Sequence, residues 1–390
     1  MSGLRELFLI LLAIYGLECC FWVRREVAAF RAWIGKKTRI VIGSALPGGE
    51  EGGLFVGNPL PPLGTVYVCQ QWPLSLSPEA AFSYVAQAWP PAQPHLQRAK
   101  LVRFDELRDV QAVDKSVRVN GDLYLKTASP LLARRIARLL RALRDLPPAR
   151  REKTIESALA QLFDTQAIEA RIEACRARSK PLLLACNAEL AHLFLVCPVV
   201  IEMGMFSAAW PFLAGGLVLL SGGVLAAYWR AHAALWPEDK TDRWSVVATL
   251  LLSPPAAIRA NDLLTRHLVA EFHPLAVARV LCGEKDFEVL AEATLRDARF
   301  PAFPVCPSDD EVARRTEEWS RQRLTRALER FVEKCGGSDR LASVPPERIS
   351  ADCLAYCPRC TSQFTRPEGT CHACGDRPLV PFAGAAAGAR

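Results

Sequence analysis

An α+β membrane protein is the fold class this sequence predicts: about three transmembrane helices, a cytosolic strand-rich domain followed by basic amphipathic helices, a cytosolic helical region, and a small cysteine-rich module at the C-terminus. Three observations lead there. Hydrophobic residues make up 51% of the 390, mean hydropathy is +0.11, and the apolar residues gather in three long stretches. Between residues 38 and 126, short β-branched and aromatic runs alternate with Gly and Pro clusters. Four of the fourteen cysteines form two Cys-x-x-Cys pairs near the end of the chain.

The first stretch, residues 7–23, is apolar apart from Glu18, and with its flanks it reaches the roughly 17 to 25 residues needed to cross a hydrocarbon core. No small-x-small cleavage site follows it, and Glu18 before Cys19 spoils a lipoprotein-type acceptor, so the segment reads as an uncleaved anchor. Arg5 precedes it, whereas Arg24, Arg25, Arg31, Lys36 and Lys37 follow, and this asymmetry puts the N-terminus outside. Residues 181–203 and 206–229 form a hairpin of two further spans around Gly204. Arg171, Arg176, Arg178 and Lys180 stand before the pair and Arg230 and Lys240 after it, with no Lys or Arg in the turn, so both outer flanks read as cytosolic. Trp22, Tyr228 and Trp229 at one boundary and Trp210 at the other agree with that orientation. Gly222 with Ala226, and Gly223 with Ala227, repeat the small-xxx-small spacing, which predicts that this face packs against the first or second span. A last apolar run, 246–252, is closed too early by Pro254 and Pro255 and reads as a buried or interfacial helix.

In the strand-rich region the strongest local signal is 116–126. A three-residue loop, Asn120-Gly121-Asp122, would align Val117 and Val119 with Leu125 and Leu123 on one face, which is preferred over a two-residue Asn-Gly loop. Ser129 and Pro130 then start a helix with Leu132, Ile136, Leu139, Leu140 and Leu143 on one side and Arg134, Arg135, Arg138, Arg141 and Arg144 on the other. A second helix, 153–178, is expected to run on into the second span. Between Pro130 and Lys180 lie 12 Lys/Arg against 6 Asp/Glu, in a chain of net charge +7, and their position beside the spans favours anionic lipid over nucleic acid as the attracting surface. Beyond the hairpin, caps at Asp242, Ser253 and His273 predict helices, followed by a long one from about 309 to 335 that Gly336 and Gly337 end.

Near the C-terminus stands Cys357-Pro-Arg-Cys360, then ten residues, then Cys371-His-Ala-Cys374-Gly375. Each pair offers two thiolates from one tight knuckle, and two knuckles complete a tetrahedral four-sulfur shell. Gly375 suits the left-handed turn after the second knuckle. This segment resembles the zinc-ribbon, or rubredoxin-like, family, and the resemblance ends at its borders. It implies a structural zinc held by Cys357, Cys360, Cys371 and Cys374, with no ligand position left for water. Four more cysteines, Cys19, Cys20, Cys186 and Cys197, fall in the expected membrane helices, and the remaining six are scattered without a framework, which suits a reducing compartment.

Two further constellations stand out. Glu18, Glu189 and His192 fall at comparable depth in the first two spans, and ionisable groups in lipid are costly enough to draw notice. Their structural reading is a hydrogen bond between Glu18 and His192 with Asn187 nearby; their functional reading is a membrane enzyme. His267, Glu271 and His273 cluster at one helix end, read as solvated. Walker loops, G-x-S-x-G and H-E-x-x-H are absent. The expectation is a multi-pass protein of the cell membrane, more an adaptor or assembly factor with a protein partner than an enzyme or an oligomeric transporter subunit, in contact with membrane lipid and not with nucleic acid. Its divisions would be 1–24 anchor, 25–180 α+β domain, 181–229 transmembrane hairpin, 230–345 helical region, 346–382 ribbon and 383–390 tail.

Overall fold

The structure is a computed structural model, which describes residues 2–23, 27–33, 36–43, 53–56, 64–85, 98–237, 240–300, 310–337, 345–374 and 376–382. Arg24 and Arg25, Gly375 and the 383–390 tail lie outside these residues.

The chain opens with helix α1 (Ser2–Glu18), and strands β1 (Cys20–Val23), β2 (Val27–Trp33), β3 (Lys36–Gly43), β4 (Gly53–Val56) and β5 (Gly64–Gln70) follow. The first apolar stretch is therefore not one helix to residue 23: it stops at Glu18, because the aromatic and β-branched Phe21, Trp22 and Val23 pair in β1 with β4. β2 is the centre of an antiparallel sheet ordered β3-β2-β5. Strands β6 (Leu74–Leu76), β7 (Ala80–Val85) and β8 (Arg98–Arg103) form a second sheet, and β9 (Val110–Val113), β10 (Ser116–Val119) and β11 (Asp122–Lys126) a third.

The β10–β11 turn corrects the expected register. Val119 pairs with Asp122 across a two-residue loop in which Asn120 and Gly121 both take positive φ, +52° and +86°. That is the mirror-image turn whose twist matches the strands. A bulge after Val117 then restores Val117 opposite Leu125, so one expected pair survives and the other becomes Arg118 opposite Leu123.

Helix α2 (Pro130–Asp145) begins as its sequence foretells, with Ser129 Oγ accepting from Leu131 N at 3.2 Å. Its Leu132, Ile136, Leu139, Leu140 and Leu143 are buried. Helix α3 (Pro148–Gln161) follows, and α4 (Thr165–Ala191) starts afresh at the Asp164 cap rather than continuing from it. A π-helical turn, His192–Val196, joins α4 to α5 (Cys197–Glu202). Pro198 explains the turn: it has no N–H to donate and its ring would crowd the carbonyl of Phe194, so the extra residue makes room. After a tight turn, α6 (Phe206–Leu235) returns along α4.

Thr165–Glu202 and Phe206–Leu235 are both long and apolar enough to cross a membrane, and only 17% and 11% of their most apolar windows are buried within the protein. A core helix of a soluble protein would hide such a surface. The α4–α6 contact does not use the small-residue row. A side chain at Gly216 would meet the His192 ring at 2.9 Å, whereas one at Gly222 or Gly223 would meet nothing within 4 Å. Backbones approach where His192 reaches Leu213 O at 2.9 Å and Ser221 reaches Glu189, and that places a different glycine at the contact.

Helices α7 (Lys240–Leu252), α8 (Pro254–Ala257), α9 (Ala260–Thr265), α10 (Pro274–Leu281), α11 (Glu284–Arg299) and α12 (Glu311–Lys334) complete the helical part. α7 begins at Lys240, before the expected Asp242 cap, while Ser253 and His273 cap as foreseen. Asp310 caps α12, and Gly336 at φ +84° closes it, with Gly337 N bonded to Val332 O at 3.0 Å. A single buried cluster joins Phe30, Tyr124, Ile136, Leu264, Leu275 and Phe331. The strand domain and the later helices therefore share one core.

Candidate metal centre

Strand β12 (Ala355–Tyr356) delivers Cys357 to the first knuckle, and β13 (Gln363–Phe364) carries the chain away from it. The turn between them is closed by Cys357 N to Ser362 O at 2.9 Å and Thr361 N to Cys357 O at 3.0 Å. Strand β14 (Thr370–Cys371) brings Cys371, a 3₁₀ turn (His372–Cys374) brings Cys374, and β15 (Arg377–Pro378) pairs back on β14. β16 (Val380–Pro381) then adds to β12, giving a sheet ordered β13-β12-β16.

The four sulfur atoms lie within 4.8 Å of one another. A tetrahedral ion with Zn–S bonds of about 2.3 Å requires sulfurs about 3.8 Å apart, and Cys360 Sγ and Cys371 Sγ are 3.7 Å apart. The group can hold a metal ion. Cys357, Cys371 and Cys374 are buried and Cys360 is half-buried, so the ligands share a small core with Ala355 and Leu379. Four protein thiolates fill a tetrahedral shell, which leaves no position for a substrate or an activated water. Thr361, in the turn after Cys360, takes φ +59°, a conformation costly for a β-branched residue.

The module is seated on the rest of the chain. Arg359 Nη2 donates to Asp297 Oδ1 of α11 at 2.7 Å while its Nη1 lies 3.9 Å from Cys374 Sγ. The Arg377 guanidinium stands 5.6 Å over the Phe300 ring just after α11. Arg366 bonds Thr370 O at 3.2 Å. No sequence signal foretold this seat, because Asp297 lies 62 positions from Arg359.

The trio expected within the membrane, Glu18, Glu189 and His192, is not assembled. Ser221 Oγ donates to Glu189 Oε1 at 2.6 Å, His192 Nε2 meets Leu213 O, and Glu18 is exposed at the end of α1. The expected Glu18–His192 bond is replaced by one to a neighbouring helix's backbone, which lies closer. The cluster expected to be solvated is buried instead: Glu271 is 8% and His273 4% exposed. Glu271 is a hub. Arg171 Nη1 meets its Oε2 at 2.6 Å, Arg138 lies 3.7 Å from its Oε1, and Arg135 donates to its backbone carbonyl at 2.9 Å. Part of the basic face of α2 is thus spent inside the protein. His273 Nδ1 accepts from Leu275 N at 3.2 Å, and complete burial pushes its pKa down to about 3.

Compared with models of protein families, with curated proteins and with solved structures, the chain matches none.

Proposed function

We propose that this chain is a membrane-anchored adaptor or assembly factor that presents its soluble domains and a structural zinc ribbon to protein partners. The observation that carries the reading is the closed set of four cysteine thiolates, which suits a fold-stabilising ion and not a reacting one. Zinc is the ion of choice for such knuckles, and iron is the alternative that metal analysis separates. The exposed apolar flanks of α4 and α6 support two membrane spans in the cell membrane, and α1, at 17 residues or about 25 Å, is the third. By the Lys/Arg asymmetry the N-terminus is outside, and the strand domain and ribbon are cytosolic. Nucleic acid is disfavoured because Arg359, Arg366 and Arg377 of the ribbon all have partners within the chain.

The test is affinity capture of the full chain from native membranes, beside the Cys360→Ser variant. A partner retained by the wild type and lost from the variant is expected. No reproducible partner, together with catalytic activity of the purified protein, would overturn the adaptor reading in favour of an enzyme.

A further inference from the structure

Residues 240–265 pack against α4 and α6. Helix α7 folds back antiparallel on α6: Arg243 Nε meets His232 Nδ1 at 3.3 Å, its Nη2 meets Trp236 O at 3.3 Å, and one residue later Trp244 packs edge-on against Trp229 at 4.7 Å. From Trp244 the helix climbs eight more residues, about 12 Å, toward the middle of α6. No charged residue occurs between Trp244 and Ile258. Leu250 is buried against the protein, while Trp244, Leu251 and Leu252 on the outer side are 62%, 68% and 84% exposed.

The turn at the top fixes the depth. Cys186 Sγ, five residues in from Pro181, lies 3.6 Å from Ala257 O, and Ile258 is buried in one cluster with Leu193 and with Tyr15 and Cys19 at the end of α1. Leu193 is about midway along 181–203, whereas Cys186 and Cys19 lie nearer the cytosolic ends of their helices, which puts the turn within the cytosolic leaflet. Irregular backbone at that depth is tolerated only under protein cover and with its polar groups met. The amides of the turn meet both conditions. Pro254 and Pro255 have no N–H to leave unpaired, Ala256 N and Ala257 N both bond Ser253 O, at 3.0 and 3.1 Å, and Ala256, Ala257 and Ile258 are buried.

The descending limb, α9, holds Arg259 and Asp262 as an ion pair, 3% and 0% exposed, which is how charges survive at such a level. It exits beside the strand domain, where Val68 N bonds Arg266 O at 2.7 Å. Entry and exit are therefore on one side.

Resting on the membrane reading above, we propose that residues 240–265 form a re-entrant helical hairpin that dips from the cytosolic side into the acyl region of the cytosolic leaflet, with the Trp244, Leu251 and Leu252 face of α7 against lipid acyl chains. Its occupant is lipid because α7 carries no charged residue from Trp244 to Leu252 and α6, on which it packs, also exposes apolar side chains, Val218 and Leu219 among them.

The experiment places a benzophenone amino acid singly at Leu252, at Val218 on α6, and at exposed Ile349 at the start of the ribbon, in the full chain reconstituted in nanodiscs of phosphatidylcholine and phosphatidylglycerol. After illumination, Leu252 and Val218 should give phospholipid adducts on the acyl chains, and Ile349 at least tenfold fewer. Adducts from Val218 but none from Leu252, or Leu252 adducts confined to headgroup and glycerol, would overturn the hairpin while leaving the spans in place. Absence of adducts at both would overturn the membrane reading itself.

Discussion

Arg359, inside the first cysteine knuckle, holds the Asp297 carboxylate of α11 at 2.7 Å while its other arm faces the sulfur of Cys374. One side chain thus joins the metal centre to the helical core. The Asp297→Ala variant should keep its metal and still be cleaved faster by trypsin at Arg348, an exposed residue at the start of the ribbon whose guanidinium lies over the Phe382 ring. Because both partners are partly exposed, the loss is about 1 kcal/mol or less, a several-fold change in cleavage rate. An unchanged rate would show that the ribbon's seat does not depend on this pair.

Cys360→Ser removes one ligand of four. The ribbon's own buried cluster is small, so metal binding, on the order of 10 kcal/mol or more, supplies most of its folding energy. About one zinc per chain is expected in the wild type by elemental analysis, lost in the variant together with new cleavage confined to the C-terminus. A metal-free wild type resistant to cleavage there would dispose of the zinc assignment.

Thr361→Gly should strengthen the same module. A β-branched residue at φ +59° costs roughly 1–2 kcal/mol, against which glycine's greater freedom in the unfolded chain offsets part. A net gain of about 0.5–1 kcal/mol is expected, read as slower loss of metal to a chelator. Faster loss would mean that the Thr361 hydroxyl, 2.7 Å from Cys360 O, matters more than the strain.

Between the two long helices, Gly216→Ala should destabilise, because its Cβ would press on the His192 ring at 2.9 Å and dislodge the contact with Leu213 O. Overpacking of this kind costs about 1–3 kcal/mol. Gly222→Ala, which meets nothing, should be neutral or slightly stabilising through helix propensity. Thermal unfolding in mild detergent compares them; equal effects would mean that the small-residue row is the true contact.

His273 gives the protein a stability that depends on pH. Its pKa in the fold, about 3, is below the unfolded value of about 6.5, so its contribution is fully present above pH 6.5. As pH falls from 6.5 towards 3 the unfolded chain takes up a proton that the native state refuses, and stability drops by up to about 1.4 kcal/mol per unit. His273→Asn keeps an acceptor for Leu275 N and removes the titration. Its melting temperature should fall less than the wild type's between pH 7 and 5; parallel curves would refute the assignment.

How much of this was legible in the chain follows from the range of each interaction. The Ser129 cap, the apolar row of α2 and the two cysteine pairs depend on residues within one or two turns of each other, and each appears where its spacing requires. The β10–β11 register was missed by one residue because a bulge costs little locally and is chosen by the packing on both faces. Glu271 was misjudged because its arginines come from 100 and more residues away.

By itself, then, the sequence determined the apolar lengths of α4 and α6, the caps at Ser129, Ser253 and His273 and the group of four cysteines that can hold a metal ion, all consequences of local composition and short spacing. Tertiary structure alone decided that α1 ends at Glu18 so that the next residues can pair with β4, that Gly216 and not Gly222 lies at the helix contact, and that Arg359 spends its charge on Asp297. Those outcomes are set by which distant surfaces meet, and the free energy of such meetings is shared among many side chains, so that no single stretch of sequence carries it.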